Sequence, residues 1–358
     1  MLADKILLFP YYIVLSVRNY LYDKGILRSV RYPVPVISIG NITVGGTGKT
    51  PAVELLLRIY ARDRRVAVIS RGYRRKTKGL RHVSVSDDYT DVGDEPLQIK
   101  RKFPDVTVVV DSSRCRAIDN LLALEEGKRP ELVILDDGFQ YRKLRPSFSI
   151  VLVSSTRPVY SDCLLPLGRL RDLPSRLKKA DMVIVTKYVG DLDSYGRALW
   201  RERLSLPAKV PLLFSRTVFA EPQPVFPDKC DNRYLYSKTA VVFTGIADDT
   251  PFKNEVRALY KINHAIRFAD HHAFSRADIR NIASASGRYP TSMVITTEKD
   301  AQRLVRRTDV PENLMARMFY LPIEMEIIPR TDPSARLISE ELPELGVKQL
   351  KENINLKL

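Results

Sequence analysis

Short runs of β-branched and aliphatic residues alternate with amphipathic stretches along most of the chain. Residues 34–39, 66–69, 106–110, 132–135, 150–153 and 182–187 each contain an apolar run long enough for one buried strand. Helical patterns fall between them, the clearest starting at Ala52, Val53, Leu55 and Leu56. This alternation predicts an α/β core with a parallel sheet. From about residue 207 the texture changes. Prolines cluster at Pro207, Pro211, Pro222, Pro224 and Pro227, as in an inter-domain connection. A second α/β pattern follows, with a strand and turn at 240–246, a helix near 252–260, another from about Ser275, and a strand from Met293 into a charged turn at Asp300. The tail beyond about Ser339 is polar. At the other end, residues 6–17 carry no charge. As a helix they span about 18 Å, short of the ~30 Å hydrocarbon core of a bilayer. Tyr11, Tyr12, Tyr20 and Tyr22, with Arg18, Lys24, Arg28 and Arg31, suit the interface of an anionic membrane. The expectation is a membrane-seated helix, interfacial or shallowly inserted; the opposing reading is a helix docked on the core.

The stretch Val34–Pro51 carries the strongest chemistry. A strand runs into glycines at Gly40, Gly45, Gly46 and Gly48, then Lys49 and Thr50, then a helix. Strand, Gly-rich loop, Lys-Thr, helix is the P-loop order. Glycines bring backbone N–H groups close to oxygen atoms, and the helix N-terminus adds donors and a positive dipole end. The expected nucleotide set is Thr43, Val44, Gly45, Gly46, Thr47, Gly48, Lys49 and Thr50, with Thr43 where G-x-x-x-x-G-K-[ST] has its first glycine. Lys49 reaches the β- and γ-phosphates of ATP and Thr50 holds Mg²⁺. The run Leu132–Gly138 ends in Asp136 and Asp137, a strand that delivers carboxylate to the metal beside such a loop. Asp94 and Glu95 precede a helix start and read either as caps or as a base and a metal ligand. The basic turn Ser70–Lys76 lies where α/β sheets bind ligands.

The chain has 358 residues, a net charge of +16 and a pI near 9.7. Such an excess attracts anionic lipid or a phosphorylated substrate. No nucleic-acid-binding signature accompanies it, and none specifies an oligomeric state. Cys115, Cys163 and Cys230 are far apart and make no zinc spacing, as expected of free thiols facing the cytosol.

Taken together, the motifs resemble the tetraacyldisaccharide 4'-kinases of lipid A biosynthesis. The resemblance rests on G-N-I-T-V-G-G-T-G-K-T-P (Gly40–Pro51), S-R-G-Y (Ser70–Tyr73), G-D-E-P (Gly93–Pro96) and D-D-G-F-Q (Asp136–Gln140). It continues through L-L-P-L-G-R-L-R (Leu164–Arg171), D-H-H (Asp270–His272) and T-T-E-K-D (Thr296–Asp300). Tyr141 and Arg74 depart from the family pattern, which has His and Gly there. The resemblance implies ATP-dependent phosphorylation of the 4'-hydroxyl of a glycolipid, a tetraacyldisaccharide 1-phosphate, at the cytoplasmic face of the inner membrane. It implies a P-loop NTPase-like core at 25–210, a smaller α/β domain at 211–340 closing on the nucleotide, a membrane-associated helix at 1–24 and a tail at 341–358. By family analogy Asp94 takes the hydroxyl proton and His271 orients Asp94, with His272 the spare. Thr50, Glu95, Asp136 and Asp137 organise Mg²⁺. Arg71, Arg114 and Arg171 are expected at the substrate 1-phosphate by charge and placement. The main rival is a partitioning or arsenite-pump ATPase, whose loop carries a lysine where Val44 stands; a nucleotide-binding scaffold at the membrane is the other.

Overall fold

In the computed structural model, residues 2–329 are described, with side chains from residue 9 onward. The strands in chain order are β1 (Val36–Asn41), β2 (Val66–Ser70), β3 (Arg81–His82), β4 (Thr107–Val110), β5 (Leu132–Asp136), β6 (Phe148–Ser154) and β7 (Met182–Thr186). They continue as β8 (Leu212–Phe219), β9 (Gln223–Pro224), β10 (Thr239–Thr244), β11 (Lys261–Arg267), β12 (Met293–Thr297), β13 (Met318–Leu321) and β14 (Ile323–Ile327). Nine of them form one sheet, ordered β14-β8-β7-β6-β1-β5-β2-β4-β3, and five form a second, ordered β11-β10-β12-β13-β9. In the larger sheet every strand from β8 to β4 pairs in parallel, and only the edge pairs β3–β4 and β14–β8 are antiparallel. Burial on both faces explains why its central strands read as unbroken apolar runs.

Strand order reverses at β1, which lies between β5 and β6. The loop after β1 therefore opens at a topological switch point, where open α/β sheets form a ligand crevice. Helix α2 (Lys49–Tyr60) follows that loop. Val53, Leu56 and Leu57 of α2 pack on Ile37 and Ile39 of β1, with Leu97 and Ile99 of the helix Asp94–Lys102 in the same core. On the opposite face Ile42, Val151, Val183 and Phe214 enclose Leu15 of helix α1 (Leu2–Asp23).

The chain leaves the large sheet after β8 and returns on β14, its antiparallel neighbour. The two crossings touch where the Ala220 N–H donates to the Pro322 carbonyl (3.0 Å). The larger sheet thus extends past the division expected at residue 210, because β8 and β14 pair with it and not with the smaller sheet. The tail expected at 341–358 lies outside the described residues.

A charged seam joins the two sheets on one side. The helix Asp94–Lys102 lies against the helix Glu298–Gln302 of the smaller sheet. Lys102 Nζ donates to Glu54 Oε2 of α2 (2.7 Å) and to Glu298 Oε1 (3.1 Å). Arg101 Nη1 donates to Gln302 Oε1 (2.9 Å). The Glu54 carboxylate is completely buried and also accepts from Gln98 Nε2 (2.9 Å). Lys102, at the end of the Asp94 helix, thus ties that helix to the loop helix and to the smaller sheet.

Breaking a buried pair leaves an uncompensated charge, at a cost of about 3–5 kcal/mol. Because Lys102 is only partly buried and Arg58 stays 3.7 Å from Glu54, Lys102→Met is expected to cost less than that, about 1–3 kcal/mol in guanidinium titrations. The Lys102→Met/Glu54→Gln double variant is expected to recover part of it. A single variant as stable as the parent would show that the seam does not hold the elements together.

Candidate active site

The loop after β1 is pinned from two strands. Asn41 Nδ2, at the end of β1, donates to Thr47 Oγ1 (2.6 Å), and Thr186 Oγ1, at the end of β7, donates to the Thr47 carbonyl (2.9 Å). Gly48 sits at φ 83, a left-handed backbone that glycine adopts without a Cβ clash, and α2 begins at the next residue. The first amides of α2 have no intrahelical acceptor. With the exposed Gly45 and Gly46 they form the donor set of an anion nest. Thr43 and Val44, expected in that set, are committed elsewhere. Thr43 is buried in a bridge to Leu170, and the Val44 N–H donates to the Arg169 carbonyl (2.7 Å). The loop's lower half is thereby anchored to the segment 164–171.

Asp136 closes β5 and is buried. Its Oδ2 accepts from Ser70 Oγ (2.9 Å), while its Oδ1 is buried with no hydrogen-bond partner. Burial, then the charges of Glu95 and Asp137, push its carboxyl up to about 6, against the pull of Lys49 and the Ser70 bond. Asp137 has the opposite balance. Burial alone would raise it, but the Arg171 guanidinium grips both its oxygens and Lys49 Nζ lies 3.9 Å away, so it stays below the usual carboxylate range. Arg171 also bonds to Asn41 Oδ1. Arg171, expected at a substrate phosphate, is thus placed on Asp137 and Asn41, and Asp137, expected at the metal, lies between Arg171 and Lys49.

Asp94 opens the helix after Gly93, whose φ of 95 lets the chain turn against Gly72 and brings G-D-E-P beside S-R-G-Y. Asp94 Oδ2 accepts from Arg303 Nη2 (2.5 Å) and lies 3.0 Å from His271 Nδ1. Its Oδ1 accepts only the N–H of Glu95 (3.0 Å). Burial pushes the carboxyl upward. The His271 bond and the charges of Lys299 and Arg303 outweigh it and hold Asp94 well below its ordinary range. Arg303 in turn donates to Asp300 Oδ1 (2.8 Å), and Asp300 Oδ2 accepts from Gly245 N–H (2.8 Å) and Thr297 Oγ1 (2.7 Å). His271 has φ 57 and meets the Tyr73 ring edge-on at 5.6 Å. His272 turns elsewhere, stacking on Phe268 and bonding Asp278 (2.9 Å), so the two adjacent histidines separate cleanly. Glu95 is paired with Lys299 (2.5 Å), whose charge is the largest influence depressing its carboxyl.

Arg114 is buried above Asp137, with Nη2 donating to the Asp137 carbonyl (3.4 Å), its guanidinium over the Tyr141 ring and its Nε unpaired. Arg71 is exposed and close enough for its charge to disfavour that of Arg114. Arg303, Lys299 and Asn41 were not among the expected site residues. For Lys299 the sequence signals are the charged turn after β12 and its place in T-T-E-K-D; for Arg303 there is none.

Among the described residues, no three carboxylate, imidazole or thiol side chains converge closely enough to hold a metal ion unaided. Mg²⁺ beside a triphosphate takes one or two carboxylates and fills its shell with phosphate oxygens and water. The orphaned Asp136 Oδ1 fits such an ion, with Thr50 at the start of α2. Asp137 and Glu95 fit it poorly, being held by Arg171 and Lys299.

The model of the family described as tetraacyldisaccharide-1-P 4'-kinase matches residues 5–342. The chain belongs to that family. The tetraacyldisaccharide 4'-kinase of Parabacteroides distasonis is 42% identical over 321 residues, spanning 88% of this chain and 87% of that one. The enzyme of the same name from Porphyromonas gingivalis is 40% identical over 324 residues, 89% and 90% of the two chains. The crystal structure of LpxK from Aquifex aeolicus in complex with ATP aligns with a TM-score of 0.73 at 28% identity, covering 98% of this chain and 99% of that one.

The Asp94 environment has a thermodynamic signature. A carboxyl held below its unfolded value contributes stability that is present above about pH 4 and lost as pH falls further. Asp94→Asn is therefore expected to unfold at lower denaturant than the parent at pH 7, by about 1–3 kcal/mol. The gap should narrow as pH is taken below 4. A constant gap across that range would mean that the ion pairs with Arg303 and His271 are not its source.

Proposed function

We propose that the protein transfers the γ-phosphoryl group of ATP to the 4'-hydroxyl of a tetraacyldisaccharide 1-phosphate, a step of lipid A biosynthesis. The observation that carries this reading is the Asp94 carboxylate, held by His271 and Arg303 of the smaller sheet and followed by Glu95, whose charge acts on both Asp136 and Lys49 of the phosphate loop. Gly45 to Thr50 and Lys49 hold the triphosphate. Thr50 and Asp136 hold Mg²⁺, which when bound neutralises charge on the transferring group. Asp94 Oδ2 is filled by its two partners, so Oδ1 is the atom that receives the hydroxyl proton. A carboxylate of low pKa suffices, because phosphoryl transfer through a loose transition state asks more of position and charge than of base strength. His271 fixes the carboxylate plane, and Arg303, anchored on Asp300, keeps the two sheets closed over the reaction. Of the three arginines expected at the 1-phosphate, Arg71 and Arg114 keep that role. A cavity of about 550 Å³ beside Arg114, lined by Tyr22, Leu27, Arg28, Val30 and Tyr141, offers room for part of the lipid.

The same proposal places the enzyme on the cytoplasmic face of the inner membrane through α1. No helix among the described residues is long and apolar enough to cross a membrane. α1 is two-sided. Leu15 is buried in the core, Asn19 Nδ2 donates to Asp172 Oδ1 (2.9 Å) and Tyr11 Oη donates to the Arg171 carbonyl (3.2 Å). Phe9, Tyr12, Ile13, Val14, Val17 and Tyr20 are exposed. A docked helix with a contiguous apolar outer face lies in an interface. The buried side fits a helix docked on the core, and the exposed apolar side supports the membrane-seated reading.

ADP production in detergent with Mg²⁺ and ATP should depend on added tetraacyldisaccharide 1-phosphate and place a phosphate on it. Equal production without the lipid would move the protein to the ATPase class. Asp94→Ala is expected to lose about three or more orders of magnitude in turnover while retaining ATP binding; near-normal turnover would remove Asp94 from the chemistry.

The triple variant Phe9→Ser/Val14→Ser/Val17→Ser leaves the buried side of α1 intact. It is expected to shift the protein from the pellet to the supernatant in sedimentation with anionic vesicles. Unchanged sedimentation would point to a different membrane contact.

A further inference from the structure

A second lysine stands at the phosphate loop, outside every motif described above. Lys187 directly follows Thr186, whose hydroxyl ties the end of β7 to the Thr47 carbonyl (2.9 Å). The backbone of Lys187 is held on both sides: its carbonyl accepts from Ser155 Oγ (2.6 Å), and the next N–H, of Tyr188, donates to the Ser215 carbonyl (2.9 Å). It sits at φ 57, the left-handed region that L residues rarely adopt and that recurs where a side chain must be aimed. The result is an ammonium at the loop: a β-carbon built on Gly46 would lie 3.9 Å from Lys187 Nζ.

Among the described residues this ammonium makes no hydrogen bond and no ion pair. Lys187 is half-buried, and burial weakens its hold on the proton. Asp248 of the smaller sheet's side acts against that, and Lys299 adds to it. A desolvated cation without a partner is costly unless an anion completes it. The neighbour it faces is a loop of glycines and free helix amides, which attracts anions and cannot itself neutralise a lysine.

Its side of the loop is informative. The strands run β7-β6-β1-β5, so Lys187 at the end of β7 and Asp136 at the end of β5 flank the loop from opposite sides. Lys49 lies on the Asp137 side. The Asp136 and Asp137 carboxylates are therefore on the β5 side of the loop and Lys187 is on its β7 side. We propose that Lys187 is a nucleotide-binding residue that contacts the diphosphate portion of ATP opposite Lys49, and so holds ADP as well as ATP. The proposal rests on the kinase reading only for the identity of the nucleotide.

The test is direct binding of ATP and of ADP to the full-length protein by calorimetry, for the parent, Lys187→Met and Lys187→Arg. Loss of one charged hydrogen bond corresponds to about tenfold or more in Kd. Lys187→Met should weaken both nucleotides by that factor, and Lys187→Arg should regain most of it. Because the lysine is unpaired within the protein, Lys187→Met should keep or raise the melting temperature, which a structural role would lower. In turnover, the KM for ATP should rise while the KM for the glycolipid stays within about twofold. Unchanged ADP binding with weakened ATP binding would place Lys187 at the γ-phosphate and overturn the assignment, as would unchanged binding of both or a lowered melting temperature with normal binding. The binding arms do not depend on the acceptor, so a failure of the glycolipid reaction in the parent is separable from a failure here.

Discussion

The contact on which the site depends is the one between Asp94 and Arg303, because it makes a single site from two sheets. Asp94 belongs to a helix packed on the large sheet, and Arg303 belongs to the small one. Neither charge can be buried alone; each is buried because the other is there. Arg303 is further fixed by Asp300, which takes its remaining bonds from Gly245 and Thr297. The loop after β10, the turn after β12 and the Asp94 helix are thus locked by one chain of charged hydrogen bonds. His271 joins it from the loop after β11. The seam continues through Glu95–Lys299 and ends at Lys102, which adds the helix of the phosphate loop through Glu54. Closure of the two sheets and aim of the carboxylate are consequently the same event in this geometry.

Charge placement also separates four carboxylates that the sequence leaves alike. Asp94, Glu95 and Asp137 each have a dedicated cation, respectively Arg303, Lys299 and Arg171, and all three are held low. Asp136 has none; it has a serine hydroxyl on one oxygen and nothing on the other, and it alone is pushed up. A single difference, which carboxylate is already neutralised by a protein cation, therefore sets Asp136 apart from the other three.

The parts of this arrangement that were legible in the sequence are the local ones. The phosphate loop and the end of β5 are written in contiguous residues, since strand, glycines, Lys49 and Thr50 must be adjacent in the chain to be adjacent in space. The partners that complete the site are not contiguous. Arg303 lies 209 positions from Asp94, Lys299 lies 204 from Glu95, and Arg171 lies 34 from Asp137. No periodicity reports such pairings, and an arginine beside a leucine-rich loop looks equally suited to an anionic substrate or to an internal carboxylate. The same limit explains β8 and β14. A proline-rich stretch reads as a connection, yet the connection proper is confined to a few residues between Phe219 and Gln223, and the flanking residues pair into sheets. Lys187 shows the limit most plainly: its place at the end of an apolar strand was visible, and the loop opposite it was not.

The first helix, whose outer face is apolar and exposed, is joined to the phosphate-loop site by direct bonds. Tyr11 and Asn19 hold the backbone of Arg171 and the carboxylate of Asp172, and Arg18 donates to the Gln140 carbonyl. Arg171 grips Asp137 and Asn41, and Asn41 Nδ2 holds Thr47 in the phosphate loop. Gln140 donates to the Asn41 carbonyl, so a second path from the helix arrives at the same residue. Asn41 is therefore the point where the helix, the two-aspartate turn and the loop meet. An anchor needs only an apolar face; it does not need buried polar contacts to the residues that shape the phosphate site. That α1 has both means that its exposed apolar face is coupled through these bonds to the residues that orient the loop. A glycolipid held in the same interface would then meet the site at a fixed height and angle, which is the positional requirement that phosphoryl transfer imposes.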